Sequence, residues 1–243
     1  MPAMKRGRAG TRSNPIVIGG KAKRTRTNGY TRTSGNFGRF AAGSHRGHEN
    51  KWFDTADTAV TIAAAGTVIA PSLNLLSAGT GESQLIGRSC IVKAIQLKGT
   101  IKRGVQSDAT ISNVVPDTYV KVALILDTQA NGAAMTIAQM FQDTDIRTFN
   151  DLENSKRFRV LKEWCVEIDE ESQHNGTTYF VGGAVRKMEG LYMKSSTPLE
   201  YGATPSGVIT DLKSNNLALV GFCENAAGGV TMDFRTRIRY SDA

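Results

Sequence analysis

Acidic residues are missing from the first 48 positions of this 243-residue chain, and Glu49 is the first of them. Basic residues are not missing: positions 1–51 hold twelve Lys or Arg against that one acid, while positions 52–243 hold eighteen against twenty-one. The formal net charge of +8 therefore conceals a strongly cationic segment joined to a slightly anionic remainder. Histidine is scarce too. With only His45, His48 and His174, the chain lacks the His-rich metal set that enzymes on cupin-type jelly rolls need. The cysteines Cys90, Cys165 and Cys223 are odd in number, far apart and in no paired metal-ligand spacing. They signal neither a disulfide framework nor a zinc site, and a reducing folding environment is expected. The longest apolar stretch, 59–70, is broken by Thr61, Gly66 and Thr67 and falls short of the ~18 residues of a membrane span, so no membrane partner is expected.

Catalytic and cofactor motifs are equally sparse. Asp54 and Asp57 could be read as a carboxylate pair, but nothing nearby supplies a base or metal partner, so polar strand positions are the expectation. The Gly-rich run 77–83, SAGTGES, lacks the Lys that follows the glycines of a phosphate-cradling loop and precedes a strand pattern, not a helix. Asp143, Asp145, Asp151 and Glu153 match no known metal loop. No enzyme activity, no cofactor and no metal are expected.

What is present is β-structure. In 84–103, QLIGRSCIVKAIQLKGTIKR, the residues Ile91, Ile95, Leu97 and Ile101 recur on one side and Gln96, Lys98, Thr100 and Lys102 on the other, with Lys93 spoiling the apolar row. A strand this long with one dry side needs a second sheet laid against it, which argues for a sandwich. Further strands are expected at 51–62, 119–127 (YVKVALILD), 157–168, 191–201 and 217–223. In 157–168 the expected shared side holds Phe158, Val160, Trp164 and Val166, with Leu161 out of phase. Val230, Met232, Phe234, Ile238 and Tyr240 alternate with Asp233, Arg235, Arg237 and Arg239 in the last strand. Met135, Ile137, Ala138, Met140 and Phe141 recur at helical spacing and predict about two turns of helix within the long connection 128–150. That connection, with Met140 and Phe141 foremost, is a predicted contact between subunits, as are 106–117 and 195–216.

The segment 1–48 has too few apolar groups to offset the entropy of ordering and is expected to be a disordered arm, with the folded domain running over 49–243. Its cations are Lys5, Arg6, Arg8 and Arg12, then Lys21, Lys23, Arg24 and Arg26, then Arg32, Arg39 and Arg46. Such a polymer attracts phosphate whatever the base sequence, and Tyr30, Phe37 and Phe40 among the last group can stack on unpaired bases. Positions 21–26 are also compatible with a nuclear-import signal, which makes a host import receptor an expected partner. Arg235, Arg237 and Arg239, supported by Lys98 and Lys102, form the one regular basic stripe expected outside the arm. The stripe is either a solvated surface or a basic surface that meets nucleic acid or a neighbouring subunit.

The ordered set of pieces resembles a family: the capsid proteins of small viruses with circular single-stranded DNA genomes (CRESS-DNA, circovirus-like), whose single jelly roll is similar to that of satellite plant virus capsids. The resembling residues are the basic arm, 51–55 (KWFDT), 85–88 (LIGR), 122–127 followed by Asn131-Gly132, 149–158 with Asn150, Leu152 and Arg157, 198–201 (PLEY), and 237–242 (RIRYSD). The arm departs from the family pattern by scattering its basic residues among Gly and Thr. The resemblance implies an all-β, single eight-stranded jelly roll that self-assembles into an icosahedral (T=1) shell of about sixty copies, its arms turned toward viral single-stranded DNA. It implies a location in the virion, with passage through the host nucleus during assembly. Sixty arms of +11 carry about 660 charges, fewer than the phosphates of any genome that also encodes a replication protein, so the deficit falls to small cations or to a basic inner wall, for which the stripe is the candidate. The alternatives are the capsid of a single-stranded RNA or satellite virus, and a non-viral nucleic-acid-binding jelly roll.

Overall fold

Alternation at period two dominates the chain, and the backbone follows it. A computed structural model describes residues 50–104, 106–108, 117–169, 172–174, 179–181, 184–226 and 229–242. The arm, with its candidate cations Lys5 to Arg46, lies outside the described residues. The elements are β1 (Asn50–Ile62), β2 (Thr67–Ala70), β3 (Ser89–Arg103), β4 (Gln106–Asp108), β5 (Thr118–Asp127), α1 (Ile137–Met140), β6 (Phe158–Ile168), β7 (Ser172–His174), β8 (Tyr179–Val181), β9 (Val185–Lys187), β10 (Leu191–Tyr201), β11 (Leu212–Ser214), β12 (Asn216–Cys223) and β13 (Val230–Asp242).

The larger sheet has the order β1-β13-β3-β10-β11, with β9 beside the far end of β3, and the smaller has the order β2-β12-β5-β6. All these pairings are antiparallel. Eight strands in this interleaved order, β1, β13, β3 and β10 in one sheet and β2, β12, β5 and β6 in the other, are a jelly roll. A small sheet, β4-β8-β7, is separate from them. Each large sheet turns its apolar side inward, and Ile62, Leu97, Ile101, Val122, Leu124, Leu219, Met232 and Tyr240 meet in the common core at 0% exposure. Asn74 ties the polar backbone at one end: its Oδ1 accepts from Leu217 N–H at 2.9 Å, and its carbonyl accepts the Tyr201 hydroxyl at 2.7 Å.

Two strands change sides along their length, which corrects the sequence reading. In β3, Arg239 of β13 sits opposite Ala94 and Tyr240 opposite Val92, so Lys93 is an extra, bulged residue. Below the bulge Cys90 and Val92 face the core, above it Ile95, Leu97 and Ile101 do, and Ile91 is only half-buried on the other side. Lys93 marks the place where the phase changes. In β6 the same happens at Leu161, because Leu124 pairs with Lys162 and Ile125 with Val160. Trp164, Val166 and Leu161 consequently pack on the main core, whereas Phe158 and Val160 lie on the outer side of the smaller sheet.

That outer side carries a second core. Residues 133–150 fold down over it, placing Met135, Met140 and Phe141 against Ala123, Ile125, Phe158, Val220 and Phe222. The Phe141 and Phe222 rings meet edge to face with centroids 5.0 Å apart. Lys121 Nζ reaches from β5 to the Thr148 carbonyl at 3.0 Å and lies over the Phe141 ring, pinning the connection. The predicted helix is only the single turn α1, opened by Thr136 N–H donating to Gln139 Oε1 at 3.0 Å. Met140 and Phe141 are each 2% exposed, so they belong to the subunit's interior and are not available to a neighbour. Phe141→Ala is expected to lower the unfolding free energy by about 3–5 kcal/mol, the usual cost of emptying an aromatic site, and urea denaturation measures it. A loss under 1 kcal/mol would mean the connection does not pack as described.

Candidate nucleic-acid interface

The alternation of β13 is strict over 230–240: Val230, Met232, Phe234, Ile238 and Tyr240 are buried, and Arg235, Arg237 and Arg239 are exposed. Directly opposed residues of antiparallel strands project to the same side, so the register assembles whole rows on the outward face of the larger sheet. One row runs Trp52, Arg239, Ala94, Lys194; the next Asp54, Arg237, Gln96, Tyr192; the third Ala56, Arg235, Lys98. Beyond them Thr100 faces Lys187 and Lys102 faces Thr231. Apart from Glu200 at the end of β10, the rows thus bring together seven cations (Arg235, Arg237, Arg239, Lys98, Lys102, Lys187, Lys194) with the carboxylates of Asp54 and Asp233.

Those two carboxylates each hold one cation. Arg237 donates to Asp54 in a bidentate fork, Nε to Oδ1 at 2.7 Å and Nη2 to Oδ2 at 2.6 Å. The Arg237 hydrogen bond is the main reason that the Asp54 carboxyl lies below the usual aspartate value, with the charges of Arg237 and Arg235 adding to it. Lys102 is paired with Asp233, whose carboxyl is likewise held low, first by that lysine and then by the Ala59 amide. Arg235, Arg239, Lys98, Lys187 and Lys194 have no carboxylate partner among the described residues. The contrast with the rest of the body is direct: Lys51 pairs with Asp242, Lys121 with Glu163, Arg147 with Glu224, Arg157 with Asp127 and Arg186 with Asp169. Those five tie the subunit together, whereas the outward face leaves cations uncommitted.

Two depressions flank the Arg237–Asp54 pair. One of about 360 Å³ lies over Ala56, Gln96, Lys98 and Arg235, and one of about 330 Å³ lies between Asn50, Trp52, Arg237 and Arg239. Lys187, Lys194, Trp52 and Tyr192 are absent from the sequence-level candidates. Nothing in the local pattern of 185–194 announces that β9 and β10 follow one another end to end along the same edge of β3. Trp52 carried a signal, its alternation with Asp54, but only the pairing with Arg239 gives it a neighbourhood.

Elsewhere the chemistry is structural. Asp143, Asp145 and Asp151 accept hydrogen bonds from the amides of Asp145, Arg147 and Glu153, so they shape their own loop. No group of three or more potential metal ligands occurs among the described residues. Burial pushes the Cys90 thiol up to about 12, leaving it protonated at neutral pH. Among the described residues no helix is long and apolar enough to cross a membrane. No protein-family model matches the chain, and a search of curated proteins finds no match either.

Because the folded-state value of Asp54 is depressed, its stabilisation is present above the ordinary aspartate range and is lost as pH falls through the depressed value. The carboxyl is expected to titrate below an ordinary aspartate by NMR, and Arg237→Gln is expected to return it toward the ordinary value. An unmoved midpoint in that variant would show that the fork does not govern Asp54.

Proposed function

We propose that the chain is the capsid protein of a small virus with a circular single-stranded DNA genome, assembling into an icosahedral shell of about sixty copies. It packages the genome through its basic N-terminal segment and the outward face of the larger sheet. What carries the reading is one conjunction: a jelly roll with its own set of structural ion pairs, and a sheet face on which Arg235, Arg239 and three lysines have no carboxylate partner among the described residues. A chain already carrying eleven cations in residues 1–48 gains nothing in solubility from that second surface. Phosphate neutralisation gives both surfaces a common use. Further copies of the chain, viral single-stranded DNA and a host import receptor are the proposed partners, and the virion and host nucleus the proposed locations.

Contacts between copies fall to apolar side chains that the subunit leaves uncovered. In the connection 141–157 these are Phe149 and Leu152, 77% and 75% exposed, on a loop closed by Gln142 N–H to the Phe149 carbonyl and Asp151 N–H to the Met140 carbonyl. Large apolar groups held rigidly in solvent mark interaction surfaces. Phe149→Asp with Leu152→Asp is expected to abolish assembly while leaving the thermal unfolding midpoint of the subunit within a few degrees of wild type. Unimpaired shells from the double variant would remove this loop from the interface.

Size-exclusion chromatography and electron microscopy of the full-length protein are expected to give a hollow megadalton particle, and nuclease digestion of its contents to identify DNA. A stable monomer in every buffer would sink the shell, and RNA contents would move the reading to a single-stranded RNA or satellite virus. Arg235→Gln, Arg237→Gln and Arg239→Gln together are expected to lower packaged nucleic acid and flatten the salt dependence of binding, by about 0.7 in logarithmic slope for each phosphate no longer neutralised. Unchanged packaging in intact particles would assign this face to another task.

A further inference from the structure

The cationic face also displays aromatic side chains that a purely electrostatic surface does not require. Trp52 is 39% exposed and Tyr192 55% exposed, both on the outward side of the sheet. Trp52 stands opposite Arg239, and Tyr192 stands opposite Gln96, which in turn faces Arg237. An indole has a better place available on a two-sided strand: its neighbours Lys51 and Phe53 point inward, and Lys51 is fully buried. The inversion, with the lysine inside and the tryptophan outside, is locally costly and is held in place. Lys51 Nζ is anchored by Asp242 at 2.9 Å and by the Gln84 carbonyl at 2.9 Å, while Trp52 N–H donates to the Glu82 carbonyl at 3.3 Å. The start of β1 is therefore fixed and presents the indole at a set position.

We infer that Trp52 and Tyr192 are stacking platforms for unpaired bases, and that the depression between Trp52, Asn50, Arg237 and Arg239 receives one nucleotide of a single DNA strand. Its volume of about 330 Å³ lies at the small end of ligand sites, and its walls supply what a nucleotide needs. Trp52 offers a π-face, Asn50 an amide with both donor and acceptor for a base edge, and Arg239 a cation with no carboxylate partner among the described residues. Arg237 is already engaged by Asp54 and forms the floor between this depression and the next. Three strand spacings and one residue pair along the strands separate Trp52 from Tyr192, about 16 Å. A single strand crossing β1, β13, β3 and β10 can place non-adjacent bases on the two rings with its phosphates over Arg239, Arg235 and Lys98. A base paired in a duplex has its faces stacked on its neighbours and cannot do this, so the platforms select single strands where charge alone does not.

This inference rests on the reading of the chain as a protein that packages single-stranded DNA, and its test separates the two. Binding of the full-length, unassembled chain is measured for an oligodeoxyuridylate, an abasic oligodeoxynucleotide and an oligouridylate of equal length at one salt concentration, with tryptophan fluorescence as a second readout. Trp164 is in the core, so Trp52 is the tryptophan that a stacked base quenches. The base-bearing DNA is expected to bind about tenfold or more tightly than the abasic strand and to quench fluorescence. Trp52→Leu with Tyr192→Leu is expected to erase the preference while retaining abasic binding, and Trp52→Tyr to restore most of it. Aromatics of the arm are the same in every variant and cannot account for such a change. Equal affinity for the two DNA strands without quenching in the wild-type chain overturns the platforms but leaves packaging by charge intact. Tighter binding of oligouridylate overturns the assignment to DNA, and failure to bind any of the three strikes both readings.

Discussion

Burial of one side of β13 decides what its other side can do. The strand is paired along nearly its whole length with β1 on one edge and β3 on the other. Its backbone is therefore committed, and each side chain has only two directions to choose from. Val230, Met232, Phe234, Ile238 and Tyr240 go to the core because their apolar area is worth roughly 1.5–3 kcal/mol per side chain. Arg235, Arg237 and Arg239 are then obliged to stand in a row on the outside. A one-residue slip would bury three guanidinium groups and expose five apolar side chains, so the register is enforced from within and the cationic row is as firmly placed as the core itself.

The two bulges serve the same end by opposite means. At Lys93 the extra residue keeps a long charged side chain in solvent and lets Cys90 and Val92 join the core that Ile95, Leu97 and Ile101 already line. At Leu161 the switch lets β6 serve two cores, Trp164 facing the sandwich and Phe158 facing the layer formed by 133–150. A sheet that is apolar on both sides needs two covers. β5 and β12 are such strands, buried at almost every position, and the opposite sheet and the connection under α1 are their covers. The asymmetry between the sheets follows: among the described residues the smaller is covered on both sides, and the larger keeps one side open.

Buried charge in this body holds structure in place. Lys51, Lys121 and Asp127 are nearly inaccessible, and each is met by an opposite charge, with a backbone carbonyl or a bidentate fork completing its hydrogen bonds. Leaving any of them without its partner would strand a charge out of water, which costs far more than the pair contributes. Lys51 acts at the entry to β1 and Lys121 at the flap over the smaller sheet. The open face has the reverse character, with cations in water and few carboxylates among them.

Several features were determined by the sequence alone. The long strand at 84–103 with its one dry side, and the nearly continuous apolar runs at 119–127 and 217–223, were sufficient to argue for a β-sandwich, and period-two alternation in 230–240 was sufficient to orient the last strand correctly and to place its three arginines on the wet side. Local pattern could do this because a strand's two directions are set by its own residues. The uneven division of charge was equally plain from composition. Other features were decided only by the tertiary structure. Lys93 read as a flaw in an apolar row and Leu161 as a slip, because a bulge is visible only when a partner strand supplies the count of residues opposite. Met140 and Phe141 read as an exposed contact because the sheet that covers them, through Ile125, Val220 and Phe222, is contributed by residues distant in the chain. Lys187, Lys194, Trp52 and Tyr192 joined the arginine row through strand order, a property of which strands pair and not of any stretch read singly. A side chain's direction is a local matter, but its neighbours across a sheet are set by global pairing, and the candidate site consists of those neighbours.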